Sequence, residues 1–479
     1  MMRKLMMNTL ILNIIWAQVP PDTQWTRTFG GDYSDGAYQV KQTVDYNYIL
    51  TGWAVPSLPE PDVSLLKISQ DGELIWLKTF GGVYRDIGRA VIQTEDMGYI
   101  IAGETQSYGS FWDVYLIKTD SVGNLLWQRN FGRTFQDGAR SIQELPDGCF
   151  IIAGLTDSLG FGAFQVYLLK IDSQGNLIWE KTYGGQGAKW AEEVQQTNDN
   201  GYIIVGRSYA SGNGDVYLVR TDGEGDTLWT RRFGGNGEDY GFSVKQTPDR
   251  GFVIVGCSSS FGTGDYDFYL IKTDTIGNLV WQKTFGGLSD DYGYSVIVSD
   301  EGYVISGSTS SFGTGGFDVY IIKTDTLGNL LWDKVIGGEG DDIAYSVQAT
   351  SDAGWIVAGS TNSFGPGTPN NPNVYLIKLN TDVGIEDKKQ TKGMDISFFP
   401  TIFKNKLTLD ITKLLKEPLR IVLYDITGYK IYENFHNSGS KIELADEKFN
   451  SLKNGIYFLA VYSKGQILGT FKLIHLSGR

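Results

Sequence analysis

Two cysteines and two histidines are all that the 479 residues contain of either type. Both histidines, His436 and His475, stand near the C-terminal end. Everything before His436 therefore lacks a Ser-His-Asp or Cys-His system and the commonest zinc and iron ligands. Cys149 and Cys257 are too few for a disulfide framework and read as structural, buried thiols. Basic residues are also short: 41 Lys and Arg face 55 Asp and Glu, a net charge of −14. That excludes a nucleic-acid binder, which needs basic stripes to neutralise phosphate. There is no Walker loop, dinucleotide fingerprint or calcium loop, so no cofactor is expected. No segment holds a helical period. Leu5 to Trp16 is largely apolar, follows Arg3 and Lys4 and ends at the small Ala17. Residues 1–17 read as a secretory signal peptide, too short for a membrane span, so no transmembrane span is expected in the mature chain.

What the chain has in abundance is repetition. Trp25, Trp76, Trp127, Trp179, Trp229, Trp281 and Trp332 recur every 50 to 52 residues. A period of that size marks one array, where length alone would suggest several domains. One unit reads Trp281-Gln-Lys-Thr-Phe-Gly-Gly, Asp291-Tyr-Gly-Tyr-Ser-Val-Ile-Val, Gly302-Tyr-Val-Ile-Ser-Gly and Asp318-Val-Tyr-Ile-Ile-Lys-Thr-Asp. Each piece is short, β-branched or aromatic, and bounded by turn residues, which predicts four strands. Seven such repeats predict an all-β, seven-bladed β-propeller of four-stranded blades over residues 25–379. Counting the Trp strand as outermost, Trp25 starts a strand with no blade before it, and the last repeat is one strand short. The N-terminal strand is expected to complete the last sheet and close the ring.

Turns sort the two ends of the disc. Compact hairpins such as Asp249-Arg-Gly and Gly277-Asn278 share one end. The longer, more varied loops after each Gly-Gly and around Ser-Phe-Gly-Thr-Gly share the other, where binding is expected. The order Gly98-Tyr-Ile-Ile-Ala-Gly103, Val114-Tyr-Leu-Ile-Lys-Thr-Asp120, Gly123-Asn124 and Trp127 resembles kelch-type propellers, without the second glycine of that family's pair. Quinoprotein-like propellers carry a similar Asp, Gly and Trp. The Asp-box order of sialidase-like propellers is not met. These resemblances imply the propeller shape and no activity.

Residues 380–394 are polar and charged and read as a linker. Beyond them, Ile396-Ser-Phe-Phe-Pro400, Leu419-Arg-Ile-Val-Leu-Tyr-Asp425 and Gly455-Ile-Tyr-Phe-Leu459 predict a small C-terminal β-sandwich over residues 395–479. The order Phe-Pro400, Leu-Tyr-Asp425-Ile-Thr-Gly428, Leu452-Lys-Asn-Gly-Ile-Tyr457 and Phe471-Lys-Leu resembles the type A sorting domain of the type IX secretion system. Gly428-Tyr-Lys and the missing Asn-Pro after Pro400 depart from its usual pattern. The resemblance implies recognition of this module by outer-membrane secretion machinery and attachment to the outer surface of a Gram-negative-type cell.

Candidate site residues come from the repeat and from its exceptions. Ten residues after each Trp stand Asp35, Asp86, Asp137, Asp239, Asp291 and Asp342, with Lys189 in the fourth repeat. These begin the innermost strands and should ring the channel mouth. They hold a cation or sugar hydroxyls, or each caps its own loop. Aromatics crowd the variable loops: Trp53, Phe111, Phe161, Phe164, Tyr209, Tyr266 and Phe317 among them. Phe261, Phe312 and Phe364 recur at one position and suit plugs between blades, whereas Trp112 and Trp190 do not recur and suit ligand contact. A basic residue recurs seven times, from Lys67 to Lys378, and suggests a structural pair with a neighbouring blade's Asp. The expected function is binding of an extracellular glycan, polymer or protein. The alternatives are a glycan-cleaving hydrolase or lyase, or a purely structural envelope protein.

Overall fold

A computed structural model describes residues 20–55, 60–109, 111–157, 163–210 and 212–381, and in the C-terminal part its strands and Leu452. Residues 1–17 and most of 380–394, the expected signal peptide and linker, lie outside the described residues. The chain divides between Thr381 and Asp382. The N-terminal unit consists of seven four-stranded antiparallel sheets. In blades one to six the inner strands are Gly36–Gln42, Asp86–Gln93, Asp137–Glu144, Lys189–Gln196, Asp239–Gln246 and Asp291–Ser299. The seventh inner strand, Asp342–Ala349, belongs to the blade whose outer strand comes from the N-terminus. There Thr23–Phe29 pairs antiparallel with Asn373–Leu379, placing Trp25 opposite Lys378. The ring closes as the repeat count requires.

The tryptophan period has a packing cause. Outer-strand tryptophans lean on an aromatic that starts the second strand of the next blade: Trp25 on Tyr48, Trp76 on Tyr99, Trp229 on Phe252 and Trp332 on Trp355, at 5.9–6.2 Å. Such pairs add about 0.5–1.5 kcal/mol to area burial. The other face of Trp229 meets Gly277, in the next blade's outer hairpin, where φ is +79° and a Cβ would collide with the indole. One contact thus fixes both the Trp and the Gly-Asn turn in the repeat.

Inner strands are sheet edges, and their free N–H groups need partners. Neighbours supply them. Gln39 Oε1 accepts from Val91 N at 2.8 Å, Glu193 from Val244 N at 2.8 Å, and Ser141, Ser243, Ser295 and Ser346 accept from the following blade's backbone at 3.3–3.4 Å. Second and third strands are buried on both faces, which is why Val319 to Ile322 is apolar throughout.

The C-terminal module has two sheets. Ile396–Phe399, Leu407–Ile411 and Lys441–Leu444 form one. The other orders Ile402–Phe403, Gln466–His475, Gly455–Ser463, Leu419–Asp425 and Lys430–His436. Leu419, Ile421, Val422, Leu459 and Val461 are buried in it.

Candidate functional site

The six aspartates stand at the long-loop end as expected, but they do not line an open mouth: all are buried, at 0–6 % exposure. Each turns one carboxylate oxygen back on its own loop. Gly31, Gly82, Arg133, Gly235, Gly287 and Gly338 donate their N–H at 2.8–3.1 Å to the aspartate four residues on. In four interfaces a serine hydroxyl from the next loop adds a second bond: Ser107 to Asp86, Ser260 to Asp239, Ser311 to Asp291 and Ser363 to Asp342, at 2.5–2.7 Å. The geometry is that of a loop cap. Among the described residues no three Asp, Glu, His or Cys side chains gather as metal ligands.

A second acidic ring, unnoticed in the repeat, faces the first. The residue that opens each third strand sits across the first glycine of Gly-Gly: Asp267 opposite Asp291 around Gly286, and Asp318 opposite Asp342 around Gly337, where any Cβ would strike both carboxylates. Burial, and then the facing carboxylate, pushes Asp62 above the usual carboxylate range, and Asp318 rises by burial and its facing carboxylate against a bond from the Thr314 N–H. Asp113 rises for the same two reasons against a bond from Asn130. The fourth interface shows the alternative. Lys189 replaces the inner Asp, its amine donating to Gln186 and Gly187 carbonyls, and the facing residue is Gln165, whose Oε1 takes the Gly185 N–H at 2.9 Å.

Three residues beyond each capping position the inner strand bulges. Register shifts bracket Tyr38, Arg89, Arg140, Glu192, Phe242, Tyr294 and Tyr345 in their respective blades. A bulge re-aims one side chain, and here it turns seven half-buried ones toward the channel. They divide into two arcs. Phe242, Tyr294, Tyr345 and Tyr38 touch in sequence, with centroids 5.1–5.2 Å apart. Burial raises the Tyr294 phenol well above its usual value and brings Tyr345 to about 12. The charged arc begins with Arg89, whose guanidinium lies 4.2 Å from the Tyr38 ring centroid. Arg89 and Arg140 both donate to the buried Glu104, at 2.5 and 2.9 Å, while Glu192 accepts from Arg207 at 3.2 Å.

Above the channel a belt of rings crosses blades three to six. Phe164 stacks on Trp190, Trp190 meets Tyr209, and the chain continues through Tyr240, Tyr266 and Tyr292 to Phe317 at 5.3–6.4 Å. Tyr240 and Tyr292 also touch Phe242 and Tyr294, which joins the belt to the channel arc. Arg207 lies over both Trp190 and Tyr240, at 4.9 and 4.8 Å. Trp112 stands apart. It is half-buried at the blade two–three interface, and its carbonyl accepts from Asp137 N. Phe261, Phe312 and Phe364 pack on Tyr269, Tyr320 and Tyr375 of their own blades at 5.5–5.7 Å, and Phe312 and Phe364 stay exposed. Trp53 packs on Tyr38, Phe111 stacks on Phe135, and Phe161 lies outside the described residues.

The opposite end is uniform. Lys67, Lys118, Lys170, Arg220, Lys272, Lys323 and Lys378 pair with Asp45, Asp96, Asp147, Asp199, Asp249, Glu301 and Asp352. The partner sits in the hairpin of the same blade and not in a neighbouring one, because that hairpin folds directly over the third strand. Cys257 is buried, whereas Cys149 is only partly so, beside Asp147.

Residues 397–475 match the family model of the secretion system C-terminal sorting domain. The C-terminal module is a sorting domain. The chain is accordingly exported by the type IX route, to a secreted or cell-surface location. None of the curated proteins compared matches it. Among solved structures it is similar to the WD40 domain of Neurospora crassa Pan2, at TM-score 0.46 and 11% identity over 76% of this chain and 98% of that one. It is also similar to Sqt1 from Chaetomium thermophilum, at TM-score 0.43 and 12% identity over 76% and 99%. A puromycin hydrolase gives TM-score 0.46 and 11% identity over 79% and 59%. Among the described residues no helix is long and apolar enough to cross a membrane.

Proposed function

We propose that this propeller, attached to the outer cell surface through residues 395–479 and the outer-membrane machinery that recognises them, binds an extracellular glycan or polymer at its long-loop face. Turnover of that ligand is not part of the reading. The observation that carries it is the belt from Phe164 through Trp190 to Phe317, continuous with the aromatic channel arc. Large aromatic rings, most of them with a polar tip, suit the apolar faces of sugars, and the belt is confined to one side of a ring whose scaffold repeats seven times. Of the two candidate tryptophans, Trp190 belongs to this surface and Trp112 does not. The capping aspartates serve it indirectly, by fixing the loops.

A hydrolase or lyase would need two carboxylates about 5–9.5 Å apart across a groove. The carboxylates best placed for that are instead turned onto loop N–H groups. The test is a glycan array probed with the mature chain and with Trp190→Ala. Specific binding that the substitution abolishes supports the reading. Binding that survives Trp190→Ala places the site elsewhere, and an array with no signal favours a protein partner or a structural role.

A further inference from the structure

The channel beneath the belt is lined by several cations, although the chain as a whole is acidic. One turn deeper than the bulges, three blades place glutamine on the inner strand, two place isoleucine, and blades one and five place Lys41 and Lys245. Lys245 is paired with Glu193. Lys41 makes no ion pair or hydrogen bond among the described residues. It stands three residues beyond Tyr38 on the inner strand of blade one, the position Lys245 holds in blade five, and the charges of Lys245 and Glu193 act on its amine. Burial, and then Lys245, lowers it to about 8, which leaves it mostly protonated at neutral pH.

Above it, Arg89 and Arg140 share the single carboxylate of Glu104, and Arg207 takes Glu192. Of these five cations Lys41 alone has no carboxylate partner among the described residues. Low-dielectric walls focus such a field on whatever enters. Facing these cations is the arc of Tyr38, Tyr345, Tyr294 and Phe242, successive rings tilted 51–55° to one another, the three tyrosines carrying hydroxyls.

We propose that the channel binds the carboxylate-bearing sugar of an acidic glycan, its anion held by Arg89, Arg140 and Lys41 and its ring face laid against Tyr345 and Tyr294. This deepens the reading above and rests on it: the belt would carry the neighbouring sugars and the channel would select for charge. An acidic peptide would satisfy the cations but leave the aromatic arc unused.

The experiment is calorimetric titration of the mature chain with trigalacturonate, neutral galactotriose and triglutamate. Trigalacturonate should bind at least about tenfold more tightly than either of the others, and more weakly as salt rises. Lys41→Gln installs the residue that Gln143, Gln195 and Gln348 already supply at this level, so the fold should hold. It should weaken trigalacturonate about tenfold, the worth of one charged hydrogen bond, and Lys41→Arg should restore most of the loss. Equal binding of galactotriose or triglutamate overturns the proposal. So does trigalacturonate affinity indifferent to Lys41→Gln; if that same binding is lost in Trp190→Ala, the face reading survives and the channel reading does not. Absence of any saccharide binding removes both.

Discussion

The two ends of the disc are built from the same repeats and treat their carboxylates in opposite ways. At the short-turn end seven basic residues, nearly all buried, each meet one half-exposed acid. The bonds hold those acids low: Asp45 falls to about 2, and Asp96, Asp147, Asp249 and Asp352 fall below the ordinary range despite partial burial. At the long-loop end acids face acids across a glycine, and burial raises Asp62, Asp113 and Asp318. One end is uniform and satisfied. The other is under electrostatic strain and differs from blade to blade. A repeat scaffold can carry a varied surface at one end because the opposite end fixes the blades without it.

The largest test breaks the seam that both ends share. Removing residues 20–29 deletes the strand that holds Trp25 and Phe29 against the first blade. The lost burial alone should cost roughly 4 kcal/mol, at about 2 kcal/mol per large apolar side chain. The bared edge of Asn373–Leu379 should drive self-association, visible by size-exclusion chromatography beside a denaturant titration. A stable monomer would mean that the first strand is dispensable.

Next comes the short-turn end alone. Asp249→Ala leaves the Lys272 amine buried with only the Thr273 carbonyl and the neighbouring Thr247 to face. The expected loss is about 2 kcal/mol, less than for a fully buried pair because the carboxylate is half exposed. A melting temperature unchanged at pH 7 would contradict this.

The long-loop end should respond with the opposite sign. Asp318→Asn copies the seventh interface, where Asn373 faces Asp35, and keeps an acceptor for the Thr314 N–H. Because the folded-state pKa of Asp318 is raised, the native state binds its proton more readily than the unfolded chain does. That group therefore costs stability once pH rises from the usual carboxylate pKa through the raised value. The variant should gain about 1 kcal/mol at pH 7, and the gain should vanish near pH 3. The short-turn acids run the other way: their lowered values give stability at neutral pH that is lost as pH falls toward about 2. Thermal melts across this range separate the two ends.

The smallest effect on stability belongs to the surface. Trp112→Ala and Trp190→Ala should each lower stability by about 1 kcal/mol, since both rings are only partly buried. Only the second should affect ligand binding. Equal losses of affinity would put both tryptophans on the binding surface.

How much of this was legible beforehand follows from what repeats in letters and what repeats in backbone. Blade number, strand order and the closing strand were readable because Trp, Gly-Gly and Gly-Asn recur as residue types, each forced by a contact with the next blade. The capping aspartates were visible as a column, yet their burial was not, since alternation does not say which way an edge residue turns between two blades. The channel ring escaped notice for a different reason. Tyr38, Arg89, Glu192 and Phe242 share a position but no chemistry, and the bulge that unites them is a backbone irregularity with no letter of its own. The acid opposite most caps hides inside triplets such as Asp-Val-Tyr, whose letters read simply as a strand start.

The pairing of Trp25 with Lys378 also sets the order in which the protein can become whole. The first strand made is the last to find its place, because its partner is the final strand of the ring. Six blades can assemble from neighbouring sequence, whereas the seventh waits for both ends of the propeller to be present. A chain threaded across a membrane from its N-terminus would travel with an open clasp, and the ring would shut only on the far side. Closure then reports that the whole propeller has arrived.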